Sequence, residues 1–322
     1  CHEFLYVNGR VNSGRIDIDI AEILVYNLNM AKYKFKTKPM EHQRMALRKL
    51  YREWGGSGAL FMEPGTGKSW IFINLWGILH KRDGVRRVLY VGPLTVLGTI
   101  EEEIEKHLHS DIPRQVIRMP RRMRRKRLIL KQLNGRLKPL VIILINYESA
   151  WRLKKELRKW KPQVITCDES HKIKRLGAKQ TAGMLALARV AQYRQVATGT
   201  AITRNHLDVR EQWRFMVNAV GRGRTNYPNE HWYRINDFRD WYARTDIYGR
   251  VRKLRHVKEM REIIRTQGIV LSKEDCLDLP PKTYEDIYVE LEPKTKKIYQ
   301  DMAIDFVADL KEAIKSKDSV IA

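Results

Sequence analysis

A chain of 322 residues can bury a substantial core, and its 43% hydrophobic content, with 9% aromatic residues, excludes compositional disorder. Its 62 lysines and arginines against 37 aspartates and glutamates leave a formal net charge of +25, which points to a polyanionic partner, nucleic acid being the commonest. No apolar run reaches the roughly 18 residues that span a bilayer, and the amino-terminal stretch is too polar for a signal peptide, so a membrane partner is not expected. Cys1, Cys167 and Cys276 are scattered without a paired CxxC spacing, which argues against a zinc module and a disulfide framework. Cys167 ends an apolar run and reads as a small buried residue in a protein of a reducing compartment, the cytoplasm.

In chain order, residues 1–29 include the alternating run Ile16-Asp17-Ile18-Asp19-Ile20, and Met30-Ala31-Lys32 resembles an initiation site. Residues 1–29 are therefore expected to form an extension of no assigned role. From about residue 57, short apolar runs alternate with amphipathic stretches. Strands are predicted at Ala59–Met62, Val88–Val91, Leu140–Ile145, Val164–Cys167 and Gln195–Ala197, and helices at 97–108, 121–134, 148–159 and 178–190. That alternation predicts an α/β fold with a mainly parallel sheet and helices on both faces. Ligands of such sheets sit beyond the carboxyl ends of the strands.

The first strand runs into Glu63-Pro64-Gly65-Thr66-Gly67-Lys68-Ser69, followed by a helix carrying Ile71, Ile73, Leu75 and Ile78. Gly65 and Gly67 allow the backbone around Thr66 to fold into a concave nest of N–H groups, and the helix adds the positive end of its dipole. In that setting Lys68 reaches the β- and γ-phosphates of a nucleotide, and the Ser69 hydroxyl binds Mg2+. Met62 stands where the full phosphate-loop pattern starts with glycine. A hundred residues later Val164-Ile165-Thr166-Cys167 ends in Asp168-Glu169-Ser170-His171. A carboxylate at a strand tip suits a water-bridged Mg2+ (Asp168), and its neighbour suits the activation of a water molecule (Glu169).

Asp168-Glu169-Ser170-His171 resembles the DExH box of helicase superfamily two, and several further segments resemble its Snf-type branch. His42-Gln43 is similar to the adenine-reading glutamine motif, and Val91-Gly92-Pro93-Leu94-Thr95-Val96-Leu97, with Glu103 beyond it, to "CPLSLL". Asn146-Tyr147-Glu148 is similar to "TTYE", and Thr198-Gly199-Thr200 to the "TGTP" motif. Leu279-Pro280-Pro281-Lys282 and Leu291-Glu292-Pro293 with Tyr299 are similar to "LPPK" and "LTPxQxxxY". The resemblance runs from about residue 38 to the end. Ala201, Ile100 and Val270-Leu271 depart from the pattern at positions usually held by proline, tryptophan and a pair of arginines, which suggests a divergent member of viral or prophage type.

The resemblance implies a RecA-like, ATP-binding lobe over residues 30–290, with ATP and Mg2+ as cofactors. Lys68, Asp168 and Glu169 would be its catalytic groups. His42, Gln43, Gly65, Thr66, Gly67, Lys68 and Ser69 would hold the nucleotide, and Ser69 and Asp168 the metal. It implies a DNA translocase whose backbone contacts fall on Pro93, Leu94, Thr95 and Thr200, with double-stranded DNA as partner. A restriction-type helicase motor and a nucleotide-gated DNA clamp share these motifs and remain alternatives.

Two segments stay open on sequence grounds. Arg121-Arg122-Met123-Arg124-Arg125-Lys126-Arg127 reads equally as a solvated helix face and as a phosphate contact. Residues 220–255 read as a helical insertion whose aromatic and basic side chains either stack bases or pack a core. A strand is predicted near 284–291. A helix should open at Pro293, with Ile298, Met302, Phe306, Leu310 and Ile314 on one stripe. The resemblance implies that residues 291–322 lead as a linker helix toward a second RecA-like lobe.

Overall fold

The computed structural model describes residues 33–133, 139–199, 206–217, 228–248, 250–276, 285 and 290–315. Nine strands are described: β1 (Gly58–Met62), β2 (Arg87–Gly92), β3 (Arg114–Arg118), β4 (Leu140–Asn146), β5 (Val164–Asp168), β6 (Tyr193–Thr198), β7 (Ala243–Thr245), β8 (Val251–Leu254) and β9 (Gly268–Leu271). Seven of them form one sheet in the order β3-β4-β2-β5-β6-β1-β9, and each neighbouring pair is parallel. β7 and β8 pair separately as an antiparallel hairpin. The mainly parallel sheet expected from the alternating runs is the one observed.

The strand interiors are apolar throughout because both faces are covered. Leu60 and Met62 of β1, with Leu140, Ile142 and Leu144 of β4, face one buried cluster. Ala59 and Phe61, with Val141, Ile143 and Ile145, alternate to the other side and a second cluster. Helices α1 (Glu41–Arg48), α2 (Lys68–Asp83) and α3 (Leu97–His107) cover the first face. The second is covered by α4 (Met123–Gln132), α5 (Tyr147–Arg152), α6 (Lys154–Trp160), α7 (Lys179–Ala188), α8 (Val209–Val217), α9 (Ile235–Tyr242) and α10 (Val257–Gln267). α2 is buried from Trp70 to His80, which explains why it lacks a polar face. Its one internal amide, Asn74, is satisfied by the Tyr33 hydroxyl at 3.1 Å and the Trp70 carbonyl at 2.9 Å.

Several elements differ from the sequence-based expectation. β3 was not anticipated: it holds only Val116 and Ile117 between arginines and a glutamine, and it is formed by pairing with β4 at the sheet edge, where charge is tolerated. β9 was not anticipated either. Val270 and Leu271 pair in register with Phe61 and Met62 of β1, so these two apolar residues extend the sheet. The helix expected at 148–159 breaks at Leu153, whose φ of −99° and ψ of 14° leave the helical region while its side chain is buried. The stretch expected to be helical around 220–255 holds α9 but also the β7–β8 hairpin. Its Trp232, Phe238 and Tyr242 are buried in the same cluster as Trp213 of α8. For these aromatics, core packing is what the structure shows.

Contacts divide the chain into Cys1–Asp278 and Leu279–Ala322. Within the second unit, α11 (Pro293–Lys315) opens at the expected proline. The alternating run at 16–20 lies outside the described residues, as do residues 284 and 286–289 of the strand expected near 284–291. Among the described residues no helix is long and apolar enough to cross a membrane. Cys167 is fully buried, as its place at the end of an apolar run predicts.

Candidate functional site

The register of the sheet brings the chemistry-bearing segments to one edge. Phe61 of β1 pairs with Thr198 of β6, Ala197 of β6 with Asp168 of β5, and Cys167 of β5 with Val91 of β2. The strands therefore end level with one another, and the loops after β1, β2, β5 and β6 emerge side by side. β6 lies between the strands that carry the phosphate loop and the acidic pair.

Gly65 (φ +87°) and Gly67 (φ +85°) take left-handed backbone, and α2 begins at Lys68 immediately after. Thr66 between them is fully buried, and its hydroxyl donates to the Glu63 carbonyl at 2.8 Å. The loop is braced from α1. His42 Nε2 lies 2.8 Å from the Thr66 carbonyl, and a Cβ on Gly67 would stand 2.0 Å from Gln43 Nε2. The other end of the Gln43 amide accepts the Met40 N–H at 3.0 Å. On the far side, the Lys273 N–H donates to Glu63 Oε2 at 3.0 Å, and the Lys273 stem lies 3.5 Å from where a Gly65 Cβ would be. Lys68 Nζ donates to the Met62 carbonyl at 2.7 Å and the Glu63 carbonyl at 3.1 Å.

Across the cleft, Asp168 Oδ2 accepts the Tyr90 hydroxyl at 2.5 Å, and Oδ1 accepts the Glu169 N–H at 3.0 Å. The Asp168 carbonyl takes the Tyr147 hydroxyl at 2.6 Å. Glu169 itself sits at φ +49°, a left-handed conformation that costs a non-glycine residue about 1 kcal/mol or more. The turn aims its carboxylate back at β6, where Thr198 Oγ1 donates to Oε2 at 3.1 Å and His171 Nδ1 lies 3.2 Å from the same oxygen. His171 Nδ1 is also 3.2 Å from Thr198 Oγ1, closing a three-membered cluster. Ser170 is anchored away from the cleft by its 2.6 Å bond to Gln212 of α8.

Lys68, Ser69, Tyr90 and Asp168 line one small cavity of about 30 Å3, closed behind by Phe72 and Trp76. Burial pushes the Lys68 ammonium below its ordinary range, opposed by the negative charges of Asp168, Glu169 and Glu63. Burial likewise pushes the Asp168 carboxyl up. The Tyr90 hydrogen bond works against that shift, and the charge of Glu169 adds to it. The donor set fits a small hard cation: a serine hydroxyl and one carboxylate line the same cavity, leaving remaining positions to phosphate oxygens and water. Among the described residues no three His, Cys, Asp or Glu side chains gather as a self-sufficient metal cage.

A family model described as the SNF2-related domain matches residues 42–321. The chain belongs to that family. Two solved structures are similar to it, the Sulfolobus solfataricus SWI2/SNF2 ATPase core in complex with dsDNA and the Sulfolobus solfataricus SWI2/SNF2 ATPase core domain. The first is 22% identical with a TM-score of 0.56, covering 90% of this chain and 55% of that one. The second is 22% identical with a TM-score of 0.55, covering 90% and 54%. The likeness shows the RecA-like fold, and the chain spans about half the length of either core. No curated protein matches it.

The other SNF2-like segments fall as follows. Pro93 follows β2, and Leu94 and Thr95 begin a 3-10 turn at the same sheet edge, with Leu94 61% exposed. Glu103 lies on α3 and holds His107 at 2.9 Å. Thr200 and Ala201 lie outside the described residues. In the basic run, Lys126 is buried and bonded to Ser149, and Arg127 pairs with Glu156 at 3.1 Å, so part of that run serves packing. Tyr90, Gln212 and Lys273 were not singled out by sequence reasoning. Tyr90 sits in a predicted strand on the face alternate to Val91, and that alternation was the available signal. The partners of Gln212 and Lys273 are distant in sequence and left none.

Proposed function

We propose that this chain is the ATP-binding lobe of a nucleic-acid-dependent ATPase that translocates on double-stranded DNA. The observation that carries the reading is the meeting of Lys68, Ser69 and Asp168 on one cavity at the carboxyl edge of a parallel sheet. In it, the N–H groups of the 65–67 turn and the amino end of α2 receive phosphate oxygens. Lys68 exchanges its two carbonyl partners for the β- and γ-phosphates. The Ser69 hydroxyl and Asp168 would hold Mg2+, which would supply charge neutralisation on the transferred phosphoryl group. Glu169 orients and deprotonates the attacking water, and His42 and Gln43 read adenine while bracing the loop. Pro93, Leu94, Thr95 and Thr200 meet the nucleic-acid backbone.

The remaining element is a second lobe whose arginines stabilise the transition state, an effect worth roughly 10³–10⁵ in rate where such arginines act. The chain alone therefore binds Mg2+–ATP but turns it over slowly. The test is nucleotide binding with single-turnover hydrolysis. Lys68→Ala should lose binding, while Glu169→Gln should keep binding and lose about 100-fold or more in rate. If neither substitution changes binding or turnover, the reading fails, and strong DNA-stimulated turnover by this chain alone would remove the need for a second lobe.

A further inference from the structure

The β7–β8 hairpin is built as a stiff projection. At its turn, Asp246 Oδ1 accepts the N–H groups of Tyr248 at 3.0 Å and Arg250 at 2.8 Å, and Oδ2 accepts Arg252 Nε at 3.1 Å. Its two roots are clamped together. Trp241, two residues before β7, stacks on His256, two residues after β8, with ring centroids 4.0 Å apart and planes 7° apart. The other face of Trp241 is covered by His231 at 3.9 Å and 11°. Glu259 of α10 fixes the base by accepting from Trp241 Nε1 at 3.1 Å and the Tyr242 hydroxyl at 2.8 Å.

The Arg250 guanidinium lies over the Tyr248 ring, 5.9 Å from its centroid, but the rest of what this projection presents has no internal explanation. Ile247 and Tyr248 at the tip are 91% and 78% exposed, although the pinned turn needs no large apolar residue. Around them Arg244, Arg250, Arg252, Lys253 and Arg255 are all exposed, and Asp246 is the one acid between Ala243 and His256. Arg244 and Lys253 stand directly opposite each other across the ribbon. Like charges in that relation destabilise a hairpin. Among the described residues no carboxylate pairs with either one.

We propose that the β7–β8 hairpin is a contact site for duplex DNA. Arg244, Arg250 and Lys253 meet phosphates, and Ile247 and Tyr248 enter the minor groove as an apolar wedge. The cations lie on both strands of the ribbon, which suits the two phosphate rows bordering a groove better than the single row of an unpaired strand. The apolar tip between them has the composition of side chains that prise base steps apart. The proposal deepens the translocase reading and rests on it for the identity of the polyanion. It does not depend on the nucleotide site.

The test uses the whole chain, a short labelled duplex and fluorescence anisotropy across a salt series, with binding of a fluorescent ATP analogue measured in parallel. Lys253→Glu places opposite charges across the ribbon, so the hairpin should fold as well as before, with an unchanged or raised Tm. Duplex affinity should nonetheless fall about tenfold at low salt, and the slope of log K against log salt should become shallower by about one. The milder Arg250→Gln should act in the same direction. Ile247→Ser with Tyr248→Ser should weaken binding about fivefold or more while leaving the salt slope in place, because the lost contacts are apolar. Wild-type affinity in these variants overturns the proposal. So does a preference for single-stranded DNA, or equal competition by polyglutamate, which would mark an acidic protein as the partner. Analogue binding should be normal in every variant; its loss in the unmodified chain would strike the proposed function instead.

Discussion

The Tyr90 hydroxyl and the Asp168 carboxylate are joined at 2.5 Å across the neighbouring strands β2 and β5. Burial raises the Asp168 pKa and the bond from Tyr90 lowers it. Tyr90→Phe removes the lowering contribution alone, so the carboxyl should become harder to ionise. Mg2+-dependent nucleotide binding requires the ionised form. Its loss on the acid side should therefore begin at higher pH in Tyr90→Phe than in the wild type. Isothermal titration with Mg2+–ADP across a pH series reads this directly, and superimposed profiles would show that the bond does not tune the carboxylate.

The same burial has a stability consequence of opposite sign to the usual carboxylate. A folded-state pKa above the unfolded value means that the native state holds the proton longer. Asp168 thus favours folding least once pH has risen past its folded pKa, and the deficit persists at neutral pH. Asp168→Asn keeps the shape, and its amide can still pair with Tyr90 and the Glu169 N–H after reorienting. At neutral pH its Tm should exceed that of the wild type by roughly 1–3 °C, while metal-dependent nucleotide binding is lost. Calorimetry at pH 7 and at acid pH, where the difference should shrink, checks both halves of the argument.

Glu169 and Thr198 connect the acidic strand to β6 through a 3.1 Å hydrogen bond, with His171 against both. Thr198→Val preserves volume and burial but removes the hydroxyl that orients the carboxylate. The expected result is a fall in single-turnover rate of about tenfold or more with little change in nucleotide affinity, and recovery in Thr198→Ser. A merely structural role would lower Tm and affinity together, and serine would not restore the rate selectively.

Much of this site was legible because its groups sit at strand ends, where a run of apolar residues stops at a glycine turn or a carboxylate. Lys68, Asp168 and Thr198 could be placed on one edge as soon as the strands were taken as parallel. Tyr90 escaped because its role is set by the neighbouring strand: alternation within the apolar run gives the face its hydroxyl takes, but not the carboxylate one strand away that it meets. Lys273 reaches the phosphate loop only because β9 pairs with β1, and β9 was read as a departure from a motif rather than as a strand. The two roots of the β7–β8 hairpin meet for the same reason. Trp241 and His256 are local in sequence, but their stacking depends on the intervening turn that Asp246 pins.

Gly67 provides the most direct test of the loop geometry. Its φ of +85° is open to glycine and strained for any other L-residue, and a Cβ there would stand 2.0 Å from Gln43 Nε2. Gly67→Ala therefore brings two separable penalties, backbone strain of about 1–3 kcal/mol and a collision with a side chain that can retreat. Retreat of Gln43 breaks its bond from the Met40 N–H and loosens the brace between α1 and the loop. Nucleotide affinity should fall at least about tenfold, since the N–H groups of the nest turn away from the phosphates. Adding Gln43→Ala to Gly67→Ala relieves the collision and leaves the strain, so stability should recover in part. The Tm difference between the two variants separates the collision from the strain, and nucleotide affinity is read on Gly67→Ala alone because Gln43 is itself placed against the nucleotide. A Gly67→Ala chain that binds nucleotide like the wild type would mean that the turn does not hold the phosphates.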